Sequence, residues 1–285
     1  MLKSIYGQYF SNIVFCISPD APPVPDSRFI AAPLKHGLLA YECLAIASRS
    51  FLNQKGYLFT KDDTILNLWK VADFDRTRIW SDWKNHGAQI MFTLSRDQWI
   101  WWFTPWGLNA CQDAFKELIS LNDLYKREAR ETTTNLQEWD VENSLNALLW
   151  NGRGFYRCYR SDVNVFYVPK SFSFVFERLS SIFQKHQVFM DIAVPTILRL
   201  IQLQEKIIEL CGTDIGKIYG EEKANKNANY FWKHFSYNAS YTKPVLFTSP
   251  SSENSVNADI LNFIMRELER TNDCRSGFFD NLIHI

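Results

Sequence analysis

Two neighbouring carboxylates, Asp62 and Asp63, stand directly after the apolar run Tyr57-Leu58-Phe59-Thr60. A buried strand that ends on paired acids can hold them where water is scarce, and a divalent cation then supplies the compensating charge. Hard oxygen donors suit magnesium or manganese, which take one or two carboxylates from the protein and complete their shell with phosphate or water. Such a cation would offset the charge that builds on a leaving diphosphate. The same acids also suit the start of a helix over Thr64-Ile-Leu-Asn-Leu-Trp-Lys70. There a carboxylate accepts from free backbone N–H groups and favours the positive end of the helix dipole. Residue type leaves both uses open.

The elements that must position the pair follow from apolar periodicity. Ser11 to Ser18 predicts a buried strand closed by a proline-rich loop, and Arg28 to Ala32 a second, shorter one. Gly37 to Asn53 has a helical apolar face, Gly56 breaks it, and Tyr57 to Thr60 follows as a strand. Helices are predicted over Asn109 to Glu131, around Leu145 to Trp150, and over Phe172 to Phe183, Ile192 to Leu210 and Asn257 to Arg270. Val163 to Val168 reads as a strand, and Asn225 to Lys243 as further strands. Strands interleaved with helices predict an α/β sheet, in which ligands bind where loops converge at the carboxyl ends of strands. The polar segment Thr132-Thr133-Thr134-Asn135 marks a boundary. It separates a half at 1–131, which carries the acid pair, from an α+β half at 132–285 packed with it as one unit.

Composition narrows the partners. The chain has 285 residues, with 31 Lys+Arg against 31 Asp+Glu, so it lacks the basic excess that nucleic-acid binding or a polybasic membrane anchor needs. With 46% apolar and 22% charged residues, it can bury a sizeable core. No apolar run reaches the roughly 18 residues of a spanning helix, and the start shows no secretory signal. Six cysteines without CxxC or CxxH spacing argue against zinc and predict free buried thiols, although an even count allows three disulfides. The sequon Asn238-Ala239-Ser240 matters only in a secretory setting.

Aromatic residues make up 15% of the chain, and such rings fill cores and line sugar clefts alike. Trp80, Trp83, Trp101 and Trp102 are candidates for an acceptor groove, though Trp99-Ile-Trp-Trp-Phe103 is too apolar to leave exposed. Arg76 and Arg78, with Arg153, Arg157 and Arg160, are cations that could meet a diphosphate, or sit solvated on the surface. No Ser-His-Asp, P-loop or Rossmann glycine signature is present.

Gly56-Tyr-Leu-Phe-Thr-Lys-Asp-Asp-Thr-Ile-Leu-Asn-Leu-Trp69, followed by Asp75-Arg-Thr-Arg-Ile-Trp80, resembles the signature of the STELLO-type glycosyltransferases. Ser161-Asp-Val-Asn-Val-Phe-Tyr-Val-Pro-Lys170, with His186-Gln-Val-Phe-Met-Asp-Ile-Ala-Val-Pro-Thr196, resembles the same family's later segment. The resemblance implies a fold similar to the GT-A nucleotide-diphospho-sugar transferases, whose metal-binding acidic motif follows a sheet strand. By position, Asp62 and Asp63 would be the metal carboxylates, with Asp63 the direct ligand. Lys61 stands where a third acid is common. Asp191, opening the later helix, would take the acceptor's proton as base, a role compatible with capping that helix.

The histidine of the family's His-Pro pair corresponds to Lys243 in Tyr241-Thr-Lys-Pro-Val-Leu246; a lysine cannot ligate a metal but can hold a diphosphate. His234, in Phe231-Trp-Lys-His-Phe235, is then the histidine left for ligation, or a hydrogen-bonded residue on an aromatic strand. Fewer residues precede the acid pair than the family devotes to its nucleotide. That implies a missing upstream strand and helix and leaves the loop from Ser18 to Pro25 as the nearest candidate for gripping the base. The activity implied is transfer of a sugar from a nucleotide-sugar donor to a glycan or protein acceptor, with Mn2+ or Mg2+. The family's setting is the Golgi lumen on a membrane anchor, and the cytoplasm is expected for a complete chain without one. Lys61, Lys243 and the short start also suit an inactive scaffold that binds other transferases. Without the resemblance, a structural α/β domain with capping aspartates would be the expectation.

Overall fold

The computed structural model describes residues 6–7, 10–22, 26, 28–35, 37–82, 87–90, 99–131, 139–216, 228–245, 262–263, 266–267 and 282–284. The chain passes through β1 (Asn12–Ile13), β2 (Phe15–Ile17), β3 (Phe29–Ala31), α1 (Tyr41–Ser50), β4 (Gly56–Thr60), β5 (Ile65–Leu66), α2 (Leu68–Val71), β6 (Trp80–Ser81) and β7 (Gly87–Ile90). Then come α3 (Leu108–Glu131), α4 (Val141–Asn151), β8 (Arg157–Arg160), β9 (Val165–Pro169), α5 (Lys170–Lys185) and α6 (Met190–Ile201). It ends with β10 (Ile208–Glu209), β11 (Gly212–Asp214), α7 (Ala228–His234), β12 (Tyr241–Lys243) and β13 (Leu282–His284).

Mixed sheets and helices make this an α/β structure. The main sheet has the order β1-β13-β4-β9-β6-β10. Its pairings are parallel except for β9, which runs antiparallel to both β4 and β6. Alternate residues of a strand face opposite ways, and the apolar run around Gly56 exploits both faces. Tyr57, Phe59, Phe166 and Val168 enter an apolar cluster shared with residues of α1 and α3 to α6. Leu58, Val165 and Tyr167 enter a second cluster with Trp69, Trp80, Phe231 and Tyr241. The ring of Tyr167 fills the space where a Cβ on Gly56 would stand, so the close approach of that ring calls for glycine at this position.

Local signals explain the helices. α5 buries Ser173, Phe176, Leu179, Ser180 and Phe183 at helical spacing. α4 begins where the Asp140 carboxylate accepts from the Asn143 N–H at 3.0 Å. The predicted helix over residues 64–70 is corrected: Ile65 and Leu66 form β5, antiparallel to Thr242 and Tyr241 of β12, and α2 starts only after Asn67. Pairing with a distant strand buries both apolar residues and overrides local helical spacing. The helix predicted to reach Leu210 ends instead at Ile201, because Ile208 joins the sheet beside Trp80. Within residues 225–243 the described elements are α7 and β12 rather than strands alone. Residues 262–263 and 266–267 of the last predicted helix are helical, and the boundary at 132–135 lies outside the described residues. Strands from either side of that boundary, β4 and β9, are direct neighbours. No helix among the described residues is long and apolar enough to cross a membrane.

The expectation of free buried thiols is also corrected. Cys16 and Cys43 form a disulfide between β2 and α1, with Cα atoms 6.0 Å apart, and Cys111 and Cys158 one between α3 and β8, at 6.4 Å. Cys211 is free and exposed, and Cys274 lies outside the described residues. The partners are 27 and 47 residues apart, so the fold rather than any short spacing brings them together. Loops of that size predict stabilisation of roughly 3–4 kcal/mol per bridge. Calorimetry with and without a phosphine reductant should show a drop in Tm of on the order of 10 °C. An unchanged Tm, with alkylatable Cys111 and Cys158 in the native protein, would show that the bridges do not form.

Candidate functional site

The acid pair sits in a turn. β4 ends at Thr60, the Lys61 N–H extends the ladder to the Asn164 carbonyl at 3.0 Å, and the Thr64 N–H closes back on the Lys61 carbonyl at 3.1 Å. Asp62 and Asp63 are therefore the central residues of a β-turn, a position aspartate favours, and neither caps a helix. Asp62 is exposed on the rim of a cleft of about 620 Å³, together with Thr60, Lys61, Phe15, Ile17 and Met190. A second cavity of about 700 Å³ adjoins it at Leu34 and Gly37 and reaches Ser18, Pro19, Asp20 and Trp106. Asp63 is half-buried and does not line the cleft. Its Oδ1 accepts from the Thr64 hydroxyl at 3.1 Å, and its carbonyl accepts from the Val245 N–H at 2.7 Å.

Asp191 lies behind this rim, next to Met190. It is in the first turn of α6, where its Oδ1 accepts from the Val163 N–H at 3.1 Å. Burial raises its pKa above the ordinary aspartate value, and the Asp162 charge adds to the rise; Lys61, the Val163 N–H and Lys243 oppose it. Lys61 and Lys243 thus both act on Asp191. Lys243 is itself opposite Asp214 in the ladder between β11 and β12 and pairs with it at 3.6 Å. The structure brings Asp191 within the fields of Lys61, which precedes the acid pair, and of Lys243 on the second sheet, and of Asp62, Asp63, Asp191 and Lys243 only Asp62 lines the cleft. His234 is elsewhere: it closes α7, not a strand, on the apolar cluster of Trp69 and Phe231, and does not line the cleft.

Three further residues form a hydrogen-bonded group. Asp82 follows β6 as Asp62 follows β4, and is only 3% exposed. Its Oδ2 accepts from the Tyr241 hydroxyl and, at 3.2 Å, from Asn164 Nδ2, itself 2% exposed. An acid after an apolar strand was the available signal for Asp82, since Ile79-Trp80-Ser81-Asp82 repeats the pattern of Tyr57 to Asp62. The buried oxygens Ser161 Oγ, Asn164 Oδ1 and Thr242 Oγ1 have no hydrogen-bond partner among the described residues, and polar atoms at such depth ordinarily take one.

Three of the arginines of the sequence reading have partners away from the cleft. Arg78 Nε donates to the Lys206 carbonyl, Arg157 Nε to the Gly152 carbonyl, and Arg160 lies over the Trp99 ring at 5.0 Å. Trp80 and Trp102 are core, Trp101 packs on Phe189, and Trp83 lies outside the described residues.

Among the described residues no group of three or more His, Cys, Asp or Glu is disposed to hold a metal ion. Asp62 offers the cleft one carboxylate, within the one or two that magnesium or manganese takes from protein when phosphate completes the shell. A single exposed carboxylate is a hard oxygen donor, so the donor chemistry fits such a cation when phosphate and water complete its shell.

Removing the hydroxyl that holds Asp82 tests this network. Tyr241→Phe should cost about 1–3 kcal/mol in urea unfolding, and adding Asp82→Asn should recover part of the loss; strictly additive changes would dissolve the proposed coupling. For Asp191, a folded pKa above the unfolded one means that stability is greatest below the ordinary value and falls as pH rises through the folded value. Asp191→Asn abolishes that titration. Its stability relative to the parent should therefore improve as pH rises above about 4; a relative loss would mean that Lys61 and Lys243 outweigh burial.

No protein-family model, curated protein or solved structure matches the chain.

Proposed function

We propose that the protein is a metal-dependent glycosyltransferase of the STELLO type with a GT-A-like sheet, moving a sugar from a nucleotide-sugar donor to an acceptor hydroxyl. The observation that carries this reading is the exposed Asp62 carboxylate at the carboxyl end of β4, on the rim of a cleft of about 620 Å³. That is where open α/β sheets bind ligands. Asp62, the carboxylate of the pair that opens onto the cleft, would hold Mn2+ or Mg2+, whose charge would offset that of the departing diphosphate. Lys61, also on the cleft, would donate to phosphate oxygens. The adjoining cavity toward residues 18–20 gives the nucleoside a place. As the acceptor oxygen bonds to the anomeric carbon and the bond to diphosphate breaks, the acceptor's proton would go to Asp191. Its raised pKa suits a base working closer to neutrality. The two disulfides favour an oxidising compartment, in keeping with a Golgi lumenal setting.

A second reading, a transferase-like scaffold without catalysis, is favoured by the lysines: Lys61 places a cation beside the acid pair, and Lys243 already neutralises Asp214.

One experiment separates the two. Manganese and uridine diphosphate together should raise Tm by about 5 °C near a hundredfold excess over Kd, neither should do so alone, and Asp62→Asn should abolish the rise. A flat Tm in the parent protein, with a transferase retained on affinity purification, would overturn catalysis in favour of the scaffold.

A further inference from the structure

Trp150 is 73% exposed, whereas Trp69, Trp80, Trp102 and Trp139 are buried. It stands in the last turn of α4 and lines a groove of about 880 Å³ with Asn151, Arg153, Gln204, Glu205 and Glu209. The walls of that groove are fixed. Asn151 Nδ2 donates to the carbonyls of Arg199 at 2.9 Å and Gln202 at 3.0 Å, while its Oδ1 accepts from the Gln204 N–H at 2.8 Å. The end of α4 is thereby clamped to the end of α6. Gln204 Oε1 accepts from Arg199 Nη2 at 3.2 Å. Arg199 is 1% exposed, its guanidinium 4.0 Å from the centre of the Tyr159 ring. With its oxygen committed to Arg199, the Gln204 amide presents N–H donors to the groove.

The lining discriminates between ligand classes. An apolar ligand would strip water from Arg153, Glu205 and Glu209 without replacing its hydrogen bonds. A polyanion would meet the two glutamates. A sugar offers C–H groups to the electron-rich face of an indole and hydroxyls that both donate and accept. The groove also has the volume of a small-molecule site. We propose that this groove is a carbohydrate-binding site for a neutral oligosaccharide, stacked on Trp150 and hydrogen-bonded by Gln204 and the flanking charged side chains. It is separate from the cleft at Asp62 and does not rest on the transferase reading.

Saturation-transfer NMR with short neutral oligosaccharides of glucose, mannose and N-acetylglucosamine tests it on the full chain. At least one should receive saturation at its ring C–H protons. Trp150→Ala should weaken that binding about tenfold or more, and Gln204→Ala by about threefold to tenfold. Trp150→Ala should keep the parent Tm, because the ring is exposed. Asp62→Asn should leave the NMR signal unchanged, which keeps a failure here distinct from a failure of the proposed reaction. No saturation of any oligosaccharide, or equal binding by Trp150→Ala, would overturn the proposal. Self-association of the parent that Trp150→Ala abolishes, without sugar binding, would overturn it in favour of a protein contact.

Discussion

The ladder from Gly56 opposite Pro169 to Thr60 opposite Val165 joins β4 to a strand running the other way. That direction has a consequence for chemistry. The amino end of β9 arrives where β4 stops, so the segment 161–164 delivers Asp162 and Asn164 beside the turn of Asp62 and Asp63. The same segment's Val163 N–H takes the Asp191 carboxylate. Slipping the pairing by one residue would exchange the faces of Leu58 and Phe59 and would move Tyr167 away from the one residue, Gly56, that leaves room for its ring. Register and site are therefore set by the same steric fit.

The charges around Asp191 share partners. Lys61 reaches the cleft and also lowers the pKa of Asp191, and Lys243 divides its field between Asp191 and Asp214. Partly buried charges persist only when compensated, so each lysine serves here as a structural counter-ion. A phosphate drawn to Lys61 would weaken that lysine's hold on Asp191 and raise its proton affinity further, so that anion binding and proton uptake would reinforce one another.

Much of this architecture was legible in local pattern. The apolar runs at residues 57–60 and 165–168 are strands because both faces of the sheet are covered, and the helical spacing at Phe176, Leu179 and Phe183 shows as α5. What stayed hidden depends on distant pairing. Ile65 and Leu66 read as the start of a helix until β12 lies beside them. The cysteine partners and the contacts of Asp82 with Asn164 and Tyr241, 82 and 159 residues away, leave no trace in spacing. For the acid pair, the sequence located the carboxylates at the end of a strand and the resemblance pointed to Asp63 as the direct ligand, whereas Asp62 is the one that faces the cleft. A turn sends neighbouring side chains in different directions, and only Asp62 opens onto the cavity. Trp150 was visible as a helical residue, but its exposure depends on how α4 packs against α6.

The sheet order also bears on how the two candidate binding regions relate. The cleft touches β1, β2 and β4, whereas the groove at Trp150 includes Ile207 and Glu209 beside and on β10, at the opposite edge. With neighbouring strands about 4.8 Å apart, the three spacings from β4 to β10 put these regions roughly 14 Å or more from each other. Sites separated by more than about 10 Å without shared partners respond to substitution nearly independently. The element that links them is α6: its first residue, Met190, lines the cleft beside Asp191, and its last turns carry Arg199, which fixes Gln204 in the groove. Twelve residues of helix span about 18 Å, so a rigid α6 would hold the two regions at a constant separation, and one extended ligand could occupy both only if its length matched that spacing.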